Sequence, residues 1–435
     1  MTLESGGTGH IDNLRPGILD LDVGAFRSDP KYVSYFSIFE LRRAQYQVQI
    51  KVASRLSLLP PYLFAELDRL KREVQQKGVD VISLGIGDPD LPTPPHIVEA
   101  CKRAADLPLN HRYPDYQGLD RFREAACGWY KSRFGVILDP QKEACALIGS
   151  KEGIANFPVA VVDPGDIVLI PDPSYPVYFS GCVFNGGEPY FMPLREENAF
   201  LPDFGAIPAE IARRAKLMWL NYPNNPTAAT ADSAFFHRAV KFCLDNNIIL
   251  AHDIAYSEVA FDGYRAPSVL ETDGARECTI EFHSLSKTYS MTGWRVGFAV
   301  GNAQLVSALG AVKTNVDSGV FQAVQEAAIA GLTGGDGHLR EYCAIYKQRR
   351  DLMVEALRAI GLTCESPRAT FYLWAGVPKG YTSASFTERV LRETGVVITP
   401  GSGFGKSGEG YVRFSLTVPS ERLREAVERI KALRI

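Results

Sequence analysis

The strongest chemical signal in the sequence is Ser284-Leu-Ser-Lys-Thr-Tyr-Ser-Met-Thr-Gly-Trp-Arg295-Val-Gly. Lys287 directly follows an apolar strand candidate, stands beside Ser284 and Ser286, and precedes Arg295 by eight residues. A lysine amine can condense with an aldehyde. The serine hydroxyls and the guanidinium can hold a phosphate dianion at a fixed distance from that amine. The plain alternative is a surface lysine and a salt-bridging arginine. It would suffice for a lone lysine, but the whole string argues against it.

Other positions fit the same chemistry. Asp253 ends an apolar run, where a buried carboxylate is costly without a cationic partner. Gly149-Ser-Lys-Glu-Gly follows a strand candidate and opens a helix candidate, so free backbone N–H groups beside Ser150 and Lys151 suit a phosphate. Arg413 sits in Tyr-Val-Arg-Phe-Ser, and an arginine inside an apolar strand asks for a carboxylate. Asn225 lies in Asn-Asn-Pro-Thr, which is by itself an ordinary turn signal.

The lysine string resembles the cofactor-lysine segment of class I/II aminotransferases of fold type I. Residues 55–435 most resemble the LL-diaminopimelate aminotransferase family. The strings that carry this are Leu84-Gly-Ile-Gly-Asp-Pro-Asp, Gly149-Ser-Lys-Glu-Gly, Asn221-Tyr-Pro-Asn-Asn-Pro-Thr-Ala-Ala, His252-Asp-Ile-Ala-Tyr256 and Lys313-Thr-Asn-Val-Asp-Ser-Gly. The resemblance implies pyridoxal 5'-phosphate joined to Lys287. It places Asp253 on the pyridine nitrogen, Tyr256 and Asn225 on the phenolic oxygen, and Tyr175 stacked on the ring. Ser150, Lys151, Ser284, Ser286 and Arg295 would serve the phosphate. Tyr113 would reach the phosphate of a neighbouring subunit, which implies a homodimer with shared active sites; Tyr116 is the nearby competitor for that role. Arg413 would grip the substrate α-carboxylate, and Tyr62, Gly87 and Asn315 match further substrate positions.

Lys287, once displaced from the aldehyde, would move the proton of the substrate Cα. Histidine has no catalytic role in this reading: His252 and His283 are expected to pack in or beside the sheet. The family's substrates are LL-2,6-diaminopimelate with tetrahydrodipicolinate, and glutamate with 2-oxoglutarate, a place in lysine biosynthesis. Competing readings are an aminotransferase for alanine, aspartate or aromatic amino acids, and a β-lyase of the same fold. From another class comes a regulatory cofactor-binding module without turnover, although residues 1–54 show no convincing helix-turn-helix or basic patch.

Elements must position these residues. Strand candidates fall at 79–84, 144–148, 167–170, 188–192, 217–220, 248–251, 279–284 and 295–300. Helix candidates lie between them, from an amphipathic stretch carrying Leu63, Leu67, Leu70 and Val74, through 119–134, 151–162, 175–185 and 232–246, to 303–312. Such alternation predicts an α/β fold with a mostly parallel central sheet and helices on both faces, binding ligands at the carboxyl ends of its strands. Long helices at 322–332 and 339–360 lead into strands at 371–375, 397–399 and 411–415, a helix at 385–394 and another from Ser420. That pattern predicts a smaller α+β lobe. The expected division is an extension over 1–54, poorly ordered or a docking arm, with a short helix from Phe36; an N-terminal part of the small lobe over 55–90; a large cofactor domain over 91–333; and the rest of the small lobe over 334–435.

Composition narrows the class. The chain has 435 residues with 46% hydrophobic and 22% charged side chains, ordinary for a large globular enzyme. A net charge of −3 suggests no general affinity for nucleic acid or an anionic membrane. The 8 cysteines are scattered, which offers no zinc ligand cluster and suggests free thiols in a reducing compartment. No apolar run is long enough to span a bilayer, and no signal-peptide pattern opens the chain. A cytoplasmic protein is expected.

Overall fold

The apolar segments form twelve strands among the residues described by the computed structural model, 50–59 and 63–434. In chain order these are β1 (Ile82–Ser83), β2 (Ala144–Leu147), β3 (Ile167–Asp172), β4 (Glu188–Pro193), β5 (Ala215–Asn221), β6 (Ile249–Asp253), β7 (Thr279–Ser284), β8 (Gly297–Gly301), β9 (Tyr372–Gly376), β10 (Val396–Val397), β11 (Thr399–Pro400) and β12 (Tyr411–Ser415). By its contacts the chain divides into 1–54 and 55–435. The expected short helix from Phe36, most of the extension and Tyr62 lie outside the described residues.

Seven strands make one sheet in the order β2-β8-β7-β6-β5-β3-β4. β8 runs against both neighbours, and every other pair is parallel. All residues of β3 and β7 are buried, as expected of strands covered on both faces. One face packs Phe122, Tyr130, Phe235, Phe236 and Leu250 under helices Asp120–Phe134 and Ser233–Asn246. The other packs Phe157, Tyr178, Trp219 and Phe282 under helices Ser150–Val161 and Val177–Phe184. Trp219 stacks on Tyr178 with ring centroids 4.9 Å apart. Local capping sets the helix starts: Asp232 accepts from the Phe235 N–H at 2.8 Å, and Asn302 accepts from the Gln304 N–H at 2.9 Å.

The remaining strands form the antiparallel set β11-β12-β9 and the short parallel pair β1-β10. They share a core in which Ile82 and Leu84 meet Phe371, Leu373, Phe414 and Leu423. Two expectations need correction. The strand at 79–84 shrinks to Ile82–Ser83, and the strand at 397–399 is broken at Ile398. The break is a change of partner: β10 pairs with β1, whereas β11 pairs with β12.

Two buried devices fix the loops at the strand ends. Arg349, on helix Gly337–Ala359, grips both carboxylate oxygens of Asp90 at 2.6 and 2.9 Å, and so holds the loop that follows Gly87. Lys313 is fully buried and donates to Glu152 and Asp317, each at 2.9 Å. Burial alone would lower its pKa, but the two carboxylates hold it above its usual value. Glu152 also accepts the Ile148 N–H at 3.0 Å, which ties Lys313 to the turn before Ser150.

All eight cysteines are unpaired, six of them buried. Among the described residues no helix is long and apolar enough to cross a membrane, and no cluster of side chains is arranged to hold a metal ion. Lys313→Met would strand two carboxylates near each other. It is expected to cost about 3–5 kcal/mol of stability, read as a lower urea midpoint of the cofactor-free protein. Adding Glu152→Gln should recover part of the loss.

Candidate active site

A cavity of about 370 Å³ opens at the carboxyl ends of β5, β6 and β7. Ser284 ends β7, and one helical turn, Leu285–Thr288, carries Ser286 and Lys287 into the cavity. The Ser284 hydroxyl accepts the Ser286 N–H at 3.2 Å and starts that turn. Lys287 Nζ donates to the carbonyl of Gly87 at 2.8 Å. Burial pulls the amine down to about 8; Asp88 opposes that shift, while Arg295 and Arg413 add to it.

Asp253 ends β6 and is buried. One oxygen accepts the Tyr178 hydroxyl at 2.8 Å and the other accepts the Ala255 N–H at 3.3 Å. Burial pushes its carboxyl up to about 6 despite the Tyr178 bond. Among the described residues no cationic side chain is ion-paired with it, so a protonated pyridine nitrogen suits the place.

Asn225 follows β5. Asn221 fixes it, accepting the Asn225 N–H at 2.8 Å and donating to the Asp253 carbonyl at 2.8 Å. The Asn225 side-chain oxygen accepts from Arg413 at 2.6 Å, which leaves the amide NH2 as the donor. Tyr256 lies 3.1 Å, hydroxyl to hydroxyl, from Tyr372.

The phosphate side is built around a tight turn. Gly149 has φ +75°, and a Cβ there would overlap the Arg295 guanidinium. Only glycine lets the start of helix Ser150–Val161 approach Arg295 so closely. Arg295 is itself held by donating to the Thr292 carbonyl at 2.7 Å. Ser150, Lys151, Ser284, Ser286 and Arg295 therefore share one end of the cavity with the free N–H groups of that helix, a fit for a phosphate dianion. Tyr175 lines the cavity and meets Tyr178 edge-on.

Arg413, in the middle of β12, is buried between the rings of Tyr372 and Phe404, 4.3 and 4.6 Å from their centroids. It donates to Asn225 and to the Gly85 carbonyl at 2.7 Å, and its Nε has no partner. Among the described residues no carboxylate pairs with it, so the internal salt bridge is absent and a ligand carboxylate fits.

The structure brings twelve of the expected residues to this cavity: Lys287, Ser150, Lys151, Tyr175, Asn225, Asp253, Tyr256, Ser284, Ser286, Arg295, Gly87 and Arg413. Two are elsewhere within the chain. Tyr113 is 86% exposed and outside the cavity. Asn315 donates to the Ala311 carbonyl at 2.9 Å and lines a shallow groove with Val159 and Val316. Sequence reasoning missed Asp88, Tyr372, Phe404 and the supporting Tyr178 and Asn221. Only Asn221 and Asp88 lay inside strings already singled out. Tyr372 and Phe404 come from distant segments with no local signal beyond the glycines around Phe404. His252 and His283 are buried in the sheet, as expected.

A Cβ at Gly87 would overlap the Tyr372 hydroxyl. Gly87→Ala is therefore expected to lower kcat/KM about tenfold or more, and Gly87→Ala with Tyr372→Phe to restore part of it. The amine at about 8 gives a second test. Below that pH the amine is protonated and cannot attack an aldehyde. Cofactor uptake by the cofactor-free protein should accelerate about tenfold per pH unit up to that point and then level off, as followed by stopped-flow absorbance.

Residues 79–430 match the family described as aminotransferase class I and II. The LL-diaminopimelate aminotransferase of Syntrophobacter fumaroxidans is 58% identical over 381 residues, 88% of this chain and 98% of that protein. That of Aquifex aeolicus is 56% identical over 383 residues, 88% of this chain and 99% of that protein. Among solved structures, substrate-bound BacF from Bacillus subtilis superposes with a TM-score of 0.85 at 39% identity, covering 89% of this chain and 98% of that one. A lysine, a buried aspartate, an anion cradle and an unpaired arginine in one cavity agree with these likenesses. The chain belongs to the class I and II aminotransferases, which work with pyridoxal 5'-phosphate, and within them to the LL-diaminopimelate aminotransferase family.

Proposed function

We propose that this chain transfers an amino group between LL-2,6-diaminopimelate with tetrahydrodipicolinate and glutamate with 2-oxoglutarate. The relatives' identity over nearly their whole length supports the substrate pair. The observation that carries the reaction type is the convergence of Lys287, Asp253, Arg295 and Arg413 on one cavity.

The bound cofactor supplies an electron sink for the bond broken at the substrate Cα. The chain's own residues do the rest. Ser150, Ser284, Ser286 and Arg295 would hold the phosphate, and Asp253 would keep the ring nitrogen charged. Asn225 and Tyr256 would donate to the phenolic oxygen, and Tyr175 would cover the ring. Arg413 binds the substrate α-carboxylate through its two-point fork, which orients the Cα–H toward Lys287. Lys287 Nζ, held near its neutral form by burial, takes the Cα proton. The cavity lining also carries Ile86, Asp88 and Thr292.

The protein works as a homodimer in this reading, with Tyr113 of one subunit completing the phosphate site of the other. Its exposure within a single chain leaves it available for that contact. Residues 91–333 form the cofactor domain, and 55–90 with 334–435 form the lobe that carries Gly87 and Arg413.

A panel of amino donors with 2-oxoglutarate tests the substrate. LL-diaminopimelate should give the highest kcat/KM, and a preference for alanine, aspartate or an aromatic donor would replace this reading with that one. Lys287→Ala should show no turnover. Arg413→Ala should lower kcat/KM about 100-fold or more, since it removes a buried charged partner of the substrate.

A further inference from the structure

Behind the sheet, on the face turned away from the cavity, lies a buried pair with no part in the chemistry above. Successive strand residues point to opposite faces, so His252 turns away where Asp253 turns in. His252 Nδ1 lies 2.7 Å from Glu281 Oε1, and both residues have zero exposure. Its Nε2 accepts the backbone N–H of Tyr222 at 3.3 Å, so the ring is neutral and carries its proton on Nδ1. Glu281 is saturated: Oε1 also accepts the Val269 N–H at 2.9 Å, and Oε2 accepts the Tyr130 hydroxyl at 3.2 Å and the Ser268 hydroxyl.

Tyr222 is the first residue after β5 and starts the loop that ends at Asn225. On the cavity side Asn221 already joins the Asn225 N–H to the Asp253 carbonyl. The loop is thus pinned from both faces of the sheet. We propose that His252 and Glu281 are positioning residues for the cofactor ring: Glu281 fixes the His252 tautomer, and His252 anchors Tyr222 so that Asn225 and Asp253 keep their spacing. This rests on the cofactor reading above.

Besides Asp253, whose carboxyl burial raises to about 6, two titratable groups lie against the pair and stay neutral. Burial pushes the Tyr130 phenol well above its ordinary value and pulls the His283 imidazole down to about 3.

The test uses the holoenzyme and two near-isosteric variants, His252→Phe and Glu281→Gln. Three quantities are read: the pH midpoint of the bound cofactor's visible absorption change, the cofactor dissociation constant, and the melting temperature of the cofactor-free form. In the cofactor reading Asn225 would lower that midpoint by donating to the phenolic oxygen. Each variant should therefore raise it by about half a unit or more and weaken cofactor binding about tenfold. The double variant should be no worse than the worse single one, because both act through one linkage. Phe236→Leu is the control: its ring packs edge-on against His252, centroids 5.0 Å apart, but takes no part in the hydrogen bonds to Glu281 and Tyr222. It should lower only the melting temperature. Variants that melt earlier but keep the wild-type midpoint and cofactor affinity would overturn the proposal. A wild-type protein that shows no cofactor band would overturn the cofactor reading itself, and this inference with it.

Discussion

The hydrogen bond from Lys287 Nζ to the Gly87 carbonyl joins two parts of the chain 200 residues apart. It holds a lysine amine out of bulk water, and nearly everything else at the site answers to that burial. An ammonium in such a place is penalised, which brings the amine within reach of its neutral, reactive form. The bond also requires the Gly87 segment to sit against the sheet ends, although that segment follows β1, which pairs with β10 outside the seven-stranded sheet. Arg349 on Asp90, the Thr93 hydroxyl on the Ser290 carbonyl and the Tyr342 hydroxyl on the Pro92 carbonyl hold it there. The long helix Gly337–Ala359 therefore shapes the active site without lining it.

Two further charges share the amine's predicament. Asp253 and Arg413 are both buried, and neither has an opposite charge of the chain in ion-pair contact among the described residues. Burying a charge unpaired costs several kcal/mol in general terms. A fold tolerates that where a ligand supplies the partner, because ligand binding then returns the lost stability. Arg413 takes the amide oxygen of Asn225, so the guanidinium that would bind the substrate also decides which way the amide donates. In the proposed reading, substrate recognition and control of the cofactor's phenolic oxygen would be linked through one side chain.

Much of this was legible in the sequence, for identifiable reasons. β3, β5, β6 and β7 are apolar runs of strand length with no competing helical period, and their ends fall within a few residues of expectation. β12 matched because its arginine is the one break in an apolar segment. The short strands were harder. Val79 and Val81 flank an exposed, ion-paired Asp80 and stay outside β1, and Ile398 separates β10 from β11 because the chain changes sheets there. At the site, most of the residues found stood inside short contiguous strings, where strand, turn and helix start place them by local geometry, although Asp88 and Asn221 were missed within such strings. Tyr372 and Phe404 were missed too. They reach the cavity from segments far along the chain, and only tertiary packing brings them to Arg413. Tyr113 and Asn315 show the converse limit: the resemblance points to them, yet both lie outside the cavity of this chain.

The same contrast explains why the reaction type reads more clearly than the substrate. The reacting end of the cavity is made from strand ends and one-turn helices, where a side chain's direction follows from the strand that precedes it. Lys287, Asp253 and Ser150 are fixed in this way, and their chemistry allows little substitution. The rest of the lining, Ile86, Asp88, Tyr372 and Phe404, comes from loops and a distant strand that meet only in the folded chain. No local pattern ties Asp88 to Tyr372 or Phe404, so the part of the cavity that would discriminate between side chains is set by tertiary packing. The reaction type therefore follows from local geometry, whereas the substrate is argued from identity to relatives over nearly their whole length.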